Sequence, residues 1–178
     1  MSASVQGLVS RCSRMCICDL SMDDDGLTND SSRIMTPRVL QFVLNRELQK
    51  ALKSRTAFTV LTITVERSAI EPRTDERTLS EIDALIEQGM RERDFIGHVE
   101  AGSTAVVLLN SDYPRAMRVA DRLVAGLEGR HFPALIKIII GAACYPNHAT
   151  SASSLIRWAL SHPVSTWKPG HRSPDHHK

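Results

Sequence analysis

An α/β (α+β) fold, a mixed sheet with helices packed against it, is predicted by three features of the sequence. Segments with a three- and four-residue apolar period alternate with β-branched runs in the order α-β-α-β-β-α-β-α. The two adjacent β runs are separated by four residues, a spacing that suits a hairpin. A chain of 178 residues with 42% hydrophobic side chains is long enough for one core and too short for two ordinary domains.

Residues 1–35 are rich in Ser, Asp and Gly and show no sustained apolar period, which predicts a flexible N-terminal tail. The domain is expected over 36–165 and a disordered polar tail over 166–178. Thr36 followed by Pro37 supplies an N-cap and a proline at the first helical position. Val39, Leu40, Phe42, Val43, Leu48, Ala51 and Leu52 then form an apolar stripe that runs to about Arg55. Residues 57–65 alternate Val60, Thr62 and Thr64 against Leu61, Ile63 and Val65, the pattern of a central strand. From Asp75 to Arg93 the spacing of Leu79, Ile82, Leu85, Ile86 and Met90 predicts a long helix over the sheet. Phe95 to Val99 and Thr104 to Leu109 read as two short strands around the turn 100–103. A cap and an early proline precede the third helix, which carries Ala116, Val119, Ala120, Leu123 and Val124. Leu135 to Cys144 is a strand, and 153–162 a short last helix that Pro163 stops. Phe42, Trp158 and Cys144 are expected in the core.

Charge and cysteine usage narrow the function classes. The 22 basic residues nearly balance the 20 acidic ones, so no electrostatic footprint for a nucleic-acid polymer is present. Seventeen of the basic residues are Arg and five are Lys. The planar fork of Arg suits phosphates and guanine edges, although a GC-rich genome produces the same bias. Cys12, Cys16 and Cys18 lack a second ligand pair at zinc-finger spacing, so neither a metal nor a disulfide framework is expected. No run reaches the roughly 18 apolar residues of a membrane span. Arg11, Arg14 and an Asp run stand where a signal peptide needs an apolar block, so the expected location is cytoplasmic.

Several strings carry a resemblance. Gly141-Ala-Ala-Cys-Tyr-Pro-Asn-His-Ala-Thr, with Leu155-Ile-Arg-Trp-Ala159 behind it, is similar to the closing strand, Tyr-Pro turn and final helix of the GGDEF (diguanylate cyclase) family. Arg91-Glu-Arg-Asp94 stands five residues before the position of the family signature. The resemblance covers roughly Gly26 to Trp158. It implies a mostly antiparallel sheet of about five strands flanked by helices, related to the palm of nucleotidyl cyclases and polymerases.

In register with Gly-Gly-Asp-Glu-Phe the chain reads Glu100, Ala101, Gly102, Ser103 and Thr104. Joining two GTP molecules requires metal ions held by carboxylates. The family positions that supply them correspond here to Gly102, Ser103 and Thr64, none of which is acidic. Glu66 and Glu100 each lie two residues from such a position, which keeps the same strand face. The segment Glu66 to Asp75 is shorter than the family's guanine-binding loop and lacks its Asn and Gly-rich turn. The final helix has Ala159 and Leu160 where the family has an Ala-Asp pair. The expectation is a degenerate cyclase without enzyme activity and without a cofactor.

The Arg-x-x-Asp motif of the family's inhibitory site binds the product, cyclic di-GMP, and is in register at Arg91 and Asp94. Guanine offers its O6 and N7 acceptors to a guanidinium, and its N1 and N2 hydrogens require an acceptor such as a carboxylate. A further family Arg falls at Arg122, since 122 − 91 = 31 residues is the family offset. His98 is a candidate minor contact, or else an ordinary surface histidine. Arg-x-x-Asp also occurs at Arg118 and Arg172, so position carries the inference; without it Arg91 and Asp94 are a solvated (i, i+3) pair. The resemblance implies a cyclic di-GMP receptor signalling through a protein partner or self-association. A ligand-independent dimerisation or scaffold module and a weak residual cyclase are the alternatives. Ser103 near His98 has no orienting acid evident in the sequence, which argues against a hydrolase.

Overall fold

Residues 33–67, 76–100, 102–132 and 136–169 are described by the structure, a computed structural model. The tail reading for 1–32, the Cys12, Cys16 and Cys18 group, most of the segment 66–75 and the last nine residues lie outside the described residues.

The elements run β1 (Ile34–Met35), α1 (Pro37–Ser54), β2 (Phe58–Arg67), α2 (Glu76–Gly89), β3 (Phe95–Glu100), β4 (Ser103–Leu108), α3 (Tyr113–Glu128), β5 (Ile136–Tyr145), α4 (Ala152–Ser161) and β6 (Pro163–Trp167). They form one six-stranded sheet in the order β1-β3-β4-β2-β5-β6. β1 is parallel to β3, and every other pairing is antiparallel. The mixed, mostly antiparallel sheet with helices is therefore as expected, with one strand more than about five.

Period-two alternation along β2 places Leu61 and Ile63 with α2 and α3, and Phe58 and Val60 with α1 and α4. Burial on both faces requires the near-continuous apolar run that β2 and β5 carry. Among the described residues no buried side-chain polar atom lacks a partner. Thr59, for example, donates its hydroxyl to Ser111 O at 2.9 Å.

Local signals account for the helix ends. Thr36 is extended ahead of Pro37, and Arg55 closes α1 in the left-handed region at φ 53°. Asp112 accepts from Arg115 N at 3.0 Å to cap α3, and Ser151 accepts from Ser154 N to cap α4. No helix among the described residues is long and apolar enough to cross a membrane.

Four expectations are corrected. The tail boundary at 35 cuts through β1, a two-residue edge strand, too short to carry a period, that exists because β3 is there to pair with it. The C-terminal boundary at 165 cuts through β6, whose Trp167 is buried edge-on against Phe132. α2 stops at Gly89 instead of continuing to Arg93. Phe42 and Trp158 are 45% and 38% exposed, because the buried stripe of α1 follows Leu40, Leu44, Leu48 and Ala51, and that of α4 follows Ala152, Leu155, Ile156 and Ala159. Cys144 is buried as expected.

The tightest approach of helix to sheet is at Gly141. A Cβ there would stand 1.8 Å from Ala159 O and 2.9 Å from Thr62 Oγ1. Because the nearest atom is α4 backbone, Gly141→Ala should lower stability by about 3 kcal/mol or more, read from the urea midpoint. Gly129→Ala is the control: its Cβ would meet nothing nearer than Gly126 O at 4.0 Å. At a φ of −78° the control should gain up to about 1 kcal/mol.

Candidate functional site

Two places in the fold gather polar side chains. The first is the turn end of the β3–β4 hairpin. Gly102 adopts φ 78°, a left-handed conformation that glycine takes without cost, and its carbonyl accepts from Val65 N at 2.8 Å. The turn is thereby tied to β2. The register pairs Thr64 with Ser103, and their hydroxyls lie 3.1 Å apart. Thr64, Gly102 and Ser103 thus lie together, and two neutral hydroxyls satisfy one another there. Glu66 is committed elsewhere, its Oε2 accepting from Lys137 Nζ at 2.7 Å. Among the described residues no group of three or more His, Cys, Asp or Glu is placed to hold a metal.

Beside this turn is a cluster that sequence reasoning missed. Thr104 Oγ1 donates to Asp83 Oδ1 at 3.1 Å and lies 3.4 Å from His98 Nδ1, while His98 Nε2 faces Asp83 Oδ2 at 4.0 Å. The available signal was an acid on the inner side of α2, four residues after Leu79 and next to Ile82. Asp83 is the orienting acid that the sequence did not reveal, but it bonds Thr104 directly and His98 is not interposed as a triad requires. The cluster joins α2 to the hairpin. Burial raises the Asp83 pKa above 3.8, opposed by His98 and by the Thr104 hydrogen bond and reinforced by Glu87.

The second place lies at the other end of β3. Arg91 to Asp94 form a turn after α2, closed by Asp94 N donating to Arg91 O at 3.1 Å. Asp94 is 6% exposed. Its Oδ2 accepts from Arg91 N at 3.2 Å and its Oδ1 from Leu109 N at 3.3 Å. The carboxylate therefore fixes this turn against the end of β4.

Next to the turn is an open groove of about 490 Å³ between α2 and α3. Leu85, Gly89, Leu123 and Gly126 line it together with Arg91, Arg122, Arg130 and Gln88. A Cβ on Gly89 would meet Leu123 Cδ2 at 3.2 Å, and one on Gly126 would meet Leu85 Cδ2 at 3.2 Å, so both glycines permit close helix approach. Arg122 donates to Gly89 O, the last carbonyl of α2, at 2.6 Å. Of the expected ligand-binding residues, the groove brings Arg91 and Arg122 together. Asp94 and His98 are not on its walls, the first because its carboxylate serves backbone, the second because it faces Asp83 and Thr104. Arg130 and Gln88 were not foreseen, since neither belongs to a motif.

Neither a protein-family profile nor a curated protein matches this chain. Solved structures do. The GGDEF domain of YfiN (TpbB) from Pseudomonas aeruginosa aligns with a TM-score of 0.65 at 24% identity, covering 72% of this chain and 86% of that one. The GGDEF domain of FimX from the same organism aligns with a TM-score of 0.66 at 14% identity, over 77% and 91% of the two chains. The fold is that of a GGDEF domain. The GGDEF domain of DgcB from Caulobacter crescentus, solved in complex with c-di-GMP, aligns with a TM-score of 0.63 at 13% identity, over 77% and 82%. Within this fold Glu100 ends β3, Gly102 stands in the turn, and Ser103 and Thr104 begin β4.

Asp83 yields a prediction of pH-dependent stability. An acid with a raised folded pKa binds its proton more tightly in the folded state, so stability falls as pH rises from the ordinary value of 3.8 through the raised one. Above that window the ionised, desolvated carboxylate is a standing cost. Asp83→Asn keeps an oxygen for Thr104 and removes the charge. Melting temperatures from about pH 4 to 7 should show the native decline flattened in the variant, which equals or exceeds the native protein at pH 7. A variant with the native slope would refute the assignment.

Proposed function

We propose that this chain is a GGDEF-fold receptor for cyclic di-GMP that has no cyclase activity and acts through a protein partner or self-association. The observation that carries the reading is the groove between α2 and α3, where Arg91 and Arg122, 31 residues apart in sequence (122 − 91), line one cavity. Guanidinium groups donate in pairs to the O6 and N7 of guanine and to phosphate oxygens. The volume of about 490 Å³ lies within the range of small-molecule sites. A protein of the same fold, DgcB, was solved with c-di-GMP. In this reading Asp94 holds the Arg91 turn in place.

Loss of catalysis is supported at the hairpin, where Thr64 and Ser103 present hydroxyls to one another and Gly102 has no side chain. Neutral oxygens at these positions leave two divalent cations without the carboxylates that would neutralise them. A ligand-independent scaffold is the second reading, and the burial of Asp94 favours it, because the carboxylate expected on guanine serves backbone instead.

Isothermal calorimetry with cyclic di-GMP tests the proposal. The native chain should give saturable heat, and Arg91→Ala should weaken binding at least tenfold, about the worth of one charge-assisted hydrogen bond, with unfolding unchanged. Absence of heat from the native chain would leave the scaffold reading standing. Incubation with GTP and Mg²⁺ or Mn²⁺ should yield no cyclic dinucleotide, and product formation would overturn the loss of catalysis.

A further inference from the structure

The groove between α2 and α3 is richer in cations than Arg91 and Arg122 account for. Arg130, two residues beyond the end of α3, also lines it, and none of the lining residues is acidic. Arg122 is tied to Gly89 O at 2.6 Å. The guanidinium groups of Arg91 and Arg130, by contrast, have no hydrogen-bond or ion-pair partner among the described residues. Three arginines facing one groove repel each other unless an anion joins them. The backbone of Arg130 is held by its N–H to Leu127 O at 3.1 Å, so its side chain starts from a fixed point.

The chemistry of such a groove is one-sided. A guanidinium has five donors and no acceptor. It serves phosphate oxygens and the O6 and N7 edge of guanine, and it has nothing to offer the N1 and N2 hydrogens. The acid that would take those hydrogens is Asp94, which is 6% exposed with both oxygens on backbone N–H groups. Gln88 is neutral and can present either end of its amide.

We infer that this groove reads its ligand with arginine alone: Arg130 joins Arg91 and Arg122 in holding a guanine-bearing cyclic dinucleotide, and the guanine 2-amino group is not read. The inference rests on the receptor reading above and specifies how that site selects its ligand. Adenine is rejected because it offers N7 with a 6-amino donor, which faces a guanidinium donor to donor.

Calorimetry with three probes tests it: cyclic di-GMP, its inosine analogue, which lacks only the 2-amino groups, and cyclic di-AMP. The first two should bind the native chain within about twofold of each other, and the third about tenfold or more weaker, the scale of one bidentate base contact. Arg130 is exposed, so Arg130→Ala should fold normally and weaken the first two alike by about tenfold. Arg130→Lys should recover part of that loss, as a point charge replaces a fork. An inosine analogue tenfold weaker than cyclic di-GMP would overturn the inference, as would undiminished binding in Arg130→Ala. Binding lost in Arg91→Ala but intact in Arg130→Ala would leave the receptor reading in place and remove this one. A native chain that binds none of the probes would overturn both. The inosine analogue makes a substitution at Asp94, which would loosen the turn itself, unnecessary.

Discussion

β2 is the strand on which the rest of the structure depends. It pairs antiparallel with β4 on one side and β5 on the other, and its side chains enter the apolar layers on both faces of the sheet. A strand buried on both faces cannot slip by one residue without moving every side chain to the wrong layer. Its register therefore sets that of its neighbours. Thr64 meets Ser103, Val65 N meets Gly102 O, and the hairpin turn is held at one place. Gly141 extends the constraint to α4, whose backbone lies close against β5.

The two polar places sit at opposite ends of β3, a separation of roughly 20 Å at the usual rise per strand residue. α2 runs between them. Asp83 joins its middle to Thr104 beside the hairpin, and Gly89 at its end lines the groove and is held by Arg122. One helix thus touches both the β3–β4 hairpin and the arginine-lined groove. A charge shift at the groove acts on the C-terminal end of α2, where the backbone carbonyls already favour cations. Asp83 adds a second electrostatic element to the same helix, disfavoured in its ionised form by burial.

Asp94 shows how one residue type in one register can serve a different end. A carboxylate three residues after Arg91 is placed equally well to meet a ligand or to close its own turn. Sequence spacing does not separate these uses. The separation comes from Leu109, whose backbone N–H needs an acceptor where β4 ends and finds Asp94 Oδ1. Once both oxygens accept backbone N–H groups, the turn is rigid and Arg91 is presented to the groove from a fixed base. The Asp94 carboxylate is a structural anchor, with each of its oxygens on a backbone N–H.

What the sequence by itself determined is local. Apolar period placed α1, α3, α4, β2 and β5 to within a few residues, and Pro37 and the cap-and-proline segment at Asp112 marked where α1 and α3 begin. Those signals are legible because each depends on neighbours within one or two turns or on alternation along one strand. The resemblance in the Tyr-Pro turn and around Arg91 pointed to the right fold, and Thr64 and Ser103 were visible as neutral residue types. The tertiary structure decided the rest. β1 and β6 exist only because an edge is waiting for them, Phe42 and Trp158 are exposed because their helices turn other faces inward, and Asp83 meets His98 and Thr104 across three elements. Arg130 lines the groove, and Asp94 does not because its oxygens serve the backbone N–H groups of Arg91 and Leu109. Which groups converge, and which backbone donors they must satisfy, is set by contacts between segments far apart in the chain.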